Sequence, residues 1–391
     1  MMDVKNVCVF TGTRAEYGLL NPLMNELKND KAFAMDVMVT GSHLSPEFGL
    51  TYKTIEEDGF AIREKIEILL SSDTPVGLSK SMGLGMIGFS EAYERLKPDC
   101  IIILGDRYES LMAATAALVA RIPIIHLYGG EVTFGVIDEA IRHSITKMSH
   151  IHFTSTEEYR KRVIQLGESP DRVFNVGAIG LDNIRKLKLF DKKKLEEELH
   201  YTFKERNFLV TYHPVTLEKN TAQAQFQEVL DVLDEREHTG LIFTKSNADT
   251  EGRIINQMID EFVDAHSDKA VGFVSMGQLK YLSTLQFVDA VVGNSSSGIV
   301  EAPSFRIGTI NIGDRQKGRM RAESIIDCEP IKKDMRCAFE KLYSNTFQAK
   351  LQNVTNPHGD GNTAVKIMDI LKKYDLAKSI KKSFHDLEFK Y

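Results

Sequence analysis

A chain of 391 residues, 42% hydrophobic and 27% charged, has room for two domains of ordinary size, each with its own core. A net charge of −6 gives no basic footprint for nucleic acid, no apolar run reaches the length of a membrane span, and the start lacks the pattern of a signal peptide. The four cysteines, Cys8, Cys100, Cys328 and Cys337, are scattered without a C-x-x-C pair, which suits reduced thiols and sets the expectation of a cytoplasmic protein.

The first predicted element is a strand at 5–11, closed by a turn at Gly12 and followed by a helix over 15–29. This is the opening of a nucleotide-binding unit, except that G-x-G-x-x-G is missing and Arg14 stands where the helix begins. Strands near 35–40, 61–67, 100–104, 123–127 and 151–154 then alternate with helical patterns at 76–96, 107–120 and 136–149. A literal G-x-G-x-x-G occurs at Gly83, Gly85 and Gly88, but no strand precedes it and apolar residues continue at helical spacing on both sides. Those glycines read as packing positions in a helix, not as a dinucleotide site. No Walker loop is present either.

The alternation pauses at 176–190, and the charged run DKKKLEEELHYTFKER after it reads as a solvated helix. A second series follows, with strands near 208–212, 240–244, 270–274, 289–292 and 307–311 and a last helix over 362–374. The expected fold is α/β, two Rossmann-like domains facing across a cleft. Their bounds are 1–175 and 176–365, with 366–391 a C-terminal helix and tail that can pack back on the N-terminal domain.

In open α/β sheets ligands sit beyond the carboxyl ends of the strands, and here those positions are unusually polar. Asp106 and Arg107 follow one strand, and Glu131 follows a Gly-Gly turn ahead of Asp138, Glu139, Arg142 and His143. His213 ends a strand before a proline, and GNSSSG (Gly293–Gly298) opens a short helix carrying Glu301. Small hydroxyl residues at a helix start expose N–H groups suited to phosphate, or else Ser295 or Ser296 simply caps the helix. An arginine, a histidine and a serine turn make a diphosphate clamp, with Asp106, Glu131 and Asp138 toward the other end of the ligand. A serine nucleophile lacks the G-x-S-x-G elbow. His150 and His152 share one strand face, yet no third residue completes a metal-ligand pattern.

The segments TGTRAEYGLL, LGDRYE, HLYGGEVTFGVIDEAIRHSITKMSHIHFTSTEEY, GNSSSGIVEAPS and INIGDRQKGR together resemble the hydrolysing UDP-N-acetylglucosamine 2-epimerases of sialic acid biosynthesis, from about residue 5 to about 375. The resemblance implies the glycosyltransferase-B arrangement, UDP held mainly by the C-terminal domain, and no cofactor or metal. It implies conversion of UDP-GlcNAc and water to N-acetylmannosamine and UDP, by homo-oligomers, dimers or tetramers. It also implies that Arg14, Arg107, His213, Asn247, Ser295, Ser296, Glu301 and Arg315 contact the nucleotide. Asp106, Asp138 and His213 are implied for catalysis, with Glu131 less secure. One departure stands out: many relatives carry a glutamate in an H-x-E-x-G motif where this chain has Tyr128. Relatives of the same fold that act on UDP-2,4-diacetamido-2,4,6-trideoxyglucose make a different substrate the nearest alternative, and a UDP-sugar-dependent glycosyltransferase is the other.

Overall fold

A computed structural model describes residues 4–70, 74–133, 137–214, 222–245, 252–376 and 380–388. The chain divides into two compact units. The first comprises Met1–Glu131, Ile137–Asn183 and Gly361–Tyr391, and the second is chiefly Ile184–Asp360.

The first unit is built on β1 (Lys5–Thr11), β2 (Phe33–Thr40), β3 (Ile62–Ile66), β4 (Cys100–Leu104), β5 (Ile124–Leu127), β6 (Ile151–Thr154) and β7 (Val173–Asn175). They pair in parallel in the order β3-β2-β1-β4-β5-β6-β7. Central strands such as CIIIL of β4 are apolar throughout and buried at every position, because helices cover both faces. One face packs the Arg14–Asn29 helix with the C-terminal Thr363–Lys373 helix, around Leu20, Leu23, Ile102 and Ile367. The other packs the Pro75–Leu96 and Tyr108–Val119 helices, around Phe10, Phe89, Ile103 and Met112.

The second unit repeats the logic with β8 (Arg206–Thr211), β9 (Thr239–Thr244), β10 (Ala270–Phe273), β11 (Ala290–Gly293), β12 (Gly308–Ile312) and β13 (Ile325–Cys328), ordered β10-β9-β8-β11-β12-β13. Chain progression reverses between β1 and β4 in the first sheet and between β8 and β11 in the second. At such a reversal the flanking connections leave on opposite faces, and a crevice opens beyond the strand ends. The sequence reading missed β7 and β13, which are three and four residues long and too short to show a period. Within the charged run after residue 190, the Lys192–Leu199 helix buries Leu195 and Leu199, leaves its lysines and Glu197 to solvent and half-buries Glu196 and Glu198. The literal G-x-G-x-x-G lies inside the Pro75–Leu96 helix. A Cβ at Gly85 would meet Met112 Sδ at 2.5 Å, and one at Gly88 would meet Ile66 Cγ2 at 2.5 Å. No helix among the described residues is long and apolar enough to cross a membrane.

The return of the chain to the first unit is pinned at both ends of the Thr363–Lys373 helix. The buried Asp182 carboxylate accepts from Thr363 N–H and Ala364 N–H, each at 2.8 Å, and so fills the helix's unpaired N-terminal donors. Lys5 Nζ donates to the carbonyls of Leu371 at 2.7 Å and Tyr374 at 2.8 Å at the other end. Asp182→Ala leaves two buried N–H groups unpaired, an expected loss of about 2–3 kcal/mol. Amide hydrogen exchange across Ile367–Leu371 should accelerate by roughly 30- to 150-fold, with β10 and β13 unaffected.

Candidate active site

In the first unit, β1, β4, β5 and β6 are consecutive neighbours, so their carboxyl ends deliver side chains to one edge of the sheet. After β1, Thr13 caps the Arg14–Asn29 helix in a reciprocal box. Its hydroxyl accepts from Glu16 N–H at 3.2 Å, while Glu16 Oε2 accepts from Gly12 N–H at 2.7 Å and Thr13 N–H at 3.1 Å. The anion seat at this helix start is therefore taken by the chain's own carboxylate, and Arg14, exposed at the first helical position, is the group that faces solvent. Burial, and then the neighbouring Glu109, raise Glu16 to about 7.

After β4, Gly105 turns at φ 80° and hands the chain to Asp106 and Arg107. The Gly105 carbonyl accepts from the buried His126 Nε2 at 2.8 Å. Arg107 forks onto the buried Glu109, Nε to Oε2 at 3.1 Å and Nη2 to Oε1 at 3.0 Å. After β5, Tyr128 sits at φ 67° and Gly130 at φ 78°, where a Cβ would collide with the Tyr159 carbonyl. The Tyr128 hydroxyl accepts from Gly180 N–H at 3.3 Å. Glu131 follows, its Oε1 accepting from Ser155 Oγ at 2.9 Å at the end of β6.

Arg142 joins these pieces. It lies on the Asp138–Met148 helix and is only 1% exposed. One arm of its guanidinium donates to Asp106, and the other to the Glu131 carbonyl at 2.8 Å and to Glu139 Oε2 at 2.6 Å. Asp138, first residue of the same helix, has its carboxyl raised above the usual range by burial and by the negative charge of Asp106. Two carboxyl groups, one paired with a guanidinium and one pushed toward its protonated form, are thus close enough to feel each other.

In the second unit, β8, β11 and β12 are consecutive neighbours. Gly293, at φ 129°, lets the end of β11 pass against the Thr211 carbonyl of β8. The Asn294 side chain then clamps the His213 backbone, accepting from its N–H at 2.7 Å and donating to its carbonyl at 2.8 Å. The Asn294 carbonyl in turn accepts from Arg315 Nη1 at 3.0 Å and Gln316 Nε2 at 2.8 Å. Burial, with the Arg315 charge adding to it, lowers His213 to about 4, so its imidazole is neutral at pH 7. Ser295 caps the Ser296–Val300 helix, its Oγ accepting from Ser297 N–H at 3.3 Å. Glu301 closes that helix, and burial raises its carboxyl to about 7.

A profile of UDP-N-acetylglucosamine 2-epimerases matches residues 25–372. The chain belongs to the UDP-N-acetylglucosamine 2-epimerase family. It is 46% identical over 387 residues to a Campylobacter jejuni protein named GDP/UDP-N,N'-diacetylbacillosamine 2-epimerase (hydrolyzing), covering 99% of this chain and 100% of that one. It is 38% identical over 384 residues to the Escherichia coli polysialic acid biosynthesis protein P7, covering 98% and 97%. In fold it resembles the crystal structure of the Neisseria meningitidis UDP-GlcNAc 2-epimerase bound to UDP-GlcNAc, with TM-score 0.72 and 20% identity over 95% of this chain and 100% of that one.

Set in this family, Asp106 and the Glu131 backbone are joined in the first unit by Arg142, and Asp138 starts the helix that carries Arg142, close enough to feel the charge of Asp106, at the same sheet edge that carries Arg14 and Arg107. His213, Ser295, Ser296, Glu301 and Arg315 follow adjacent strand ends of the second. Asn247 lies outside the described residues. His150 and His152 turn to structural partners: His150 Nδ1 accepts from Ile124 N–H at 3.1 Å, and His152 Nε2 meets Glu168 Oε2 at 3.0 Å. Arg142, Glu109, Ser155 and Asn294 were not singled out from the sequence as site residues. Arg142 stood in the sequence among the polar residues that follow a strand end, without a role, because nothing in the spacing distinguishes a buried arginine from a solvated one.

Glu301 also sets a pH expectation. Its folded pKa of about 7 lies above the unfolded carboxylate value, so its contribution is fully present below about pH 4.5 and is lost as pH rises through 7. Glu301→Gln removes that dependence. The thermal midpoint of the variant minus that of the native protein should therefore be more positive at pH 8 than at pH 5, by differential scanning fluorimetry without nucleotide.

Proposed function

We propose that this chain is a hydrolysing 2-epimerase of UDP-2,4-diacetamido-2,4,6-trideoxyglucose, the sugar nucleotide otherwise called UDP-N,N'-diacetylbacillosamine. It releases UDP and the free 2-epimer, the manno-configured sugar. The observation that carries the choice of substrate is the 46% identity, along the whole chain, to a relative whose name gives the GDP or UDP form of that sugar nucleotide and hydrolysis. Hydrolysis of UDP-GlcNAc to N-acetylmannosamine stands second, supported by the 38% likeness to a polysialic acid biosynthesis protein and by the family's own name.

The chemistry follows from the substrate's bonds. The C2–H bond has no adjacent carbonyl, so a stabilised carbanion is not available and the proton must leave as the C1–O bond to UDP breaks. This elimination gives the 2-acetamidoglycal and UDP. Water then adds its hydroxyl to C1 and a proton returns to C2 on the opposite face, which completes the inversion.

The reading assigns the proton transfers to the first unit. Asp106 and Asp138 are the carboxyl pair, and their unequal surroundings suit unequal roles: Asp138 is the one whose protonated form is favoured, while Asp106 is held by Arg142. Glu131, oriented by Ser155, is the supporting acid. The nucleotide is assigned to the second unit, with Ser295 and Ser296 at the phosphates, Glu301 at the ribose hydroxyls and Arg315 beside His213. A neutral His213 serves the leaving diphosphate as an N–H donor, not as a resident cation. Arg14 and Arg107 supply the charge that answers the dianion as it forms, each such donor being worth about 10²–10³ in rate. No redox step occurs, so the proposed reaction needs no cofactor, and the expected compartment is the cytoplasm.

Incubation with each UDP-sugar in D₂O, followed by proton NMR, tests the assignment. The expected products are UDP and a free sugar deuterated at C2, with kcat/KM higher for the diacetamido sugar by at least about 10-fold, the order of discrimination a few lost contacts give. Preference for UDP-GlcNAc moves the assignment to the second reading, and a product that retains UDP contradicts hydrolysis. Asp138→Asn should lower kcat by about 10²–10⁴ with nucleotide affinity retained.

A further inference from the structure

A lysine outside regular structure normally keeps its ammonium in water, and withdraws it only where partners are waiting. Lys382, in the segment beyond the Thr363–Lys373 helix, has withdrawn its own. Its side chain is only 19% exposed, and its Nζ donates to the Lys147 and Ser149 carbonyls, each at 2.6 Å, and to both oxygens of Glu168 at 2.9 Å. Glu168 is itself buried, and its other neighbours are Lys147 Nζ at 2.5 Å and His152 Nε2 at 3.0 Å. The seat is shaped for this segment as well. A Cβ at Gly167 would meet the Phe384 ring at 2.2 Å, and the Gly167 carbonyl accepts from His385 N–H at 2.9 Å. Little apolar area is buried in return, since Ile380 and Phe384 stay 36% and 62% exposed. The segment is held by directed polar bonds, and the question is what those bonds hold in place.

Lys147 and Ser149 lie at the C-terminal end of the Asp138–Met148 helix, where the last carbonyls lack partners within the helix and a cation answers the dipole. The first turn of that helix carries Asp138, and Arg142, one turn on, reaches Asp106 and the Glu131 carbonyl. Eleven helical residues make a rod about 16 Å long, so whatever fixes the last turn also fixes how far the first turn reaches toward Asp106. We propose that Lys382 is a positioning residue for the reaction. The segment that carries it is a strap, which holds the Asp138–Met148 helix by its far end and thereby sets the stance of Asp138 and Arg142 against Asp106. A misplacement of about 1 Å at reacting groups can cost about 10²-fold in rate. The inference rests on the proton-transfer roles proposed above for Asp106 and Asp138. It requires an effect on the chemical step without one on the nucleotide, which that reading assigns to the second unit.

Two changes in the full chain test the strap. Lys382→Met keeps the length of the side chain and removes its donors, while Glu168 retains Lys147 and His152. Lys382→Glu sets a carboxylate against Glu168 and drives the segment off its seat. On whichever of the two UDP-sugars the native protein hydrolyses, Lys382→Glu should lower kcat by about 10- to 100-fold, and Lys382→Met by a smaller factor in the same direction. The dissociation constant for UDP, by isothermal titration calorimetry, should stay within about 3-fold of the native value in both, since only the chemical step has lost an interaction. Amide hydrogen exchange across Ile141–Met148 should accelerate by about 10-fold or more in Lys382→Glu, as the loss of hydrogen bonds to a charged group implies, with β4 unchanged. An unchanged kcat in Lys382→Glu would overturn the proposal. So would equal acceleration in β4, which would make the segment a general prop of the sheet. A native protein that hydrolyses neither sugar nucleotide would count against the proposed function instead, and the exchange measurement would then decide the strap by itself.

Discussion

A guanidinium withdrawn from water must have its charge and its donors matched on the spot, and Arg142 is withdrawn almost completely. It finds Asp106 after β4, the Glu131 carbonyl after β5, and Glu139 one turn back on its own helix. The turns after β4 and β5 and the start of the helix are thereby held at one sheet edge by a single side chain. Removing one partner from such a buried set typically costs 3–5 kcal/mol, since the charges left behind stay buried without a match. The positions of Asp106 and Glu131, and the lie of the helix that starts at Asp138, all rest on this match.

The proximity of Asp106 and Asp138 has a chemical consequence. Arg142 bonds Asp106, while burial and the negative charge of Asp106 raise the Asp138 carboxyl. Burial and a negative neighbour make the protonated form of Asp138 easier to reach, which suits a reaction that removes and returns a proton. The second unit meets a different demand by different means. There Asn294 grips the His213 backbone on both sides and takes Arg315 and Gln316 on its carbonyl, so the turn after β11 is held by amide hydrogen bonds with little need for charge. The same bond orients Arg315 beside the turn, the position the proposed reading gives it at the nucleotide.

Much of this architecture can be read from the residues. Runs such as IIIL in β4 or VVG in β11 have no polar face, which requires cover on both sides and so a parallel sheet. The polar residues just beyond those runs then mark the two crevices. β7 and β13 escaped because three or four residues paired at an edge need not be apolar. Arg142 escaped for a deeper reason: patterns assign charged residues to solvent, and a charged residue goes inside only when specific partners, distant in sequence, arrive with it. The lowered His213 and the raised Asp138 and Glu301 are likewise properties of surroundings that no local pattern carries.

The central claim is that Arg142 and Asp106 act as one unit in the chemistry. A double-mutant cycle on kcat, with Arg142→Met, Asp106→Asn and the pair, measures this directly. If the guanidinium works by holding the carboxylate, each single change should lower kcat by about 10²-fold or more, and the double change should be no worse than the more damaging single one. Losses that multiply in the double variant would mean that the two side chains act independently, and Arg142 would then be a structural residue that only neighbours the site.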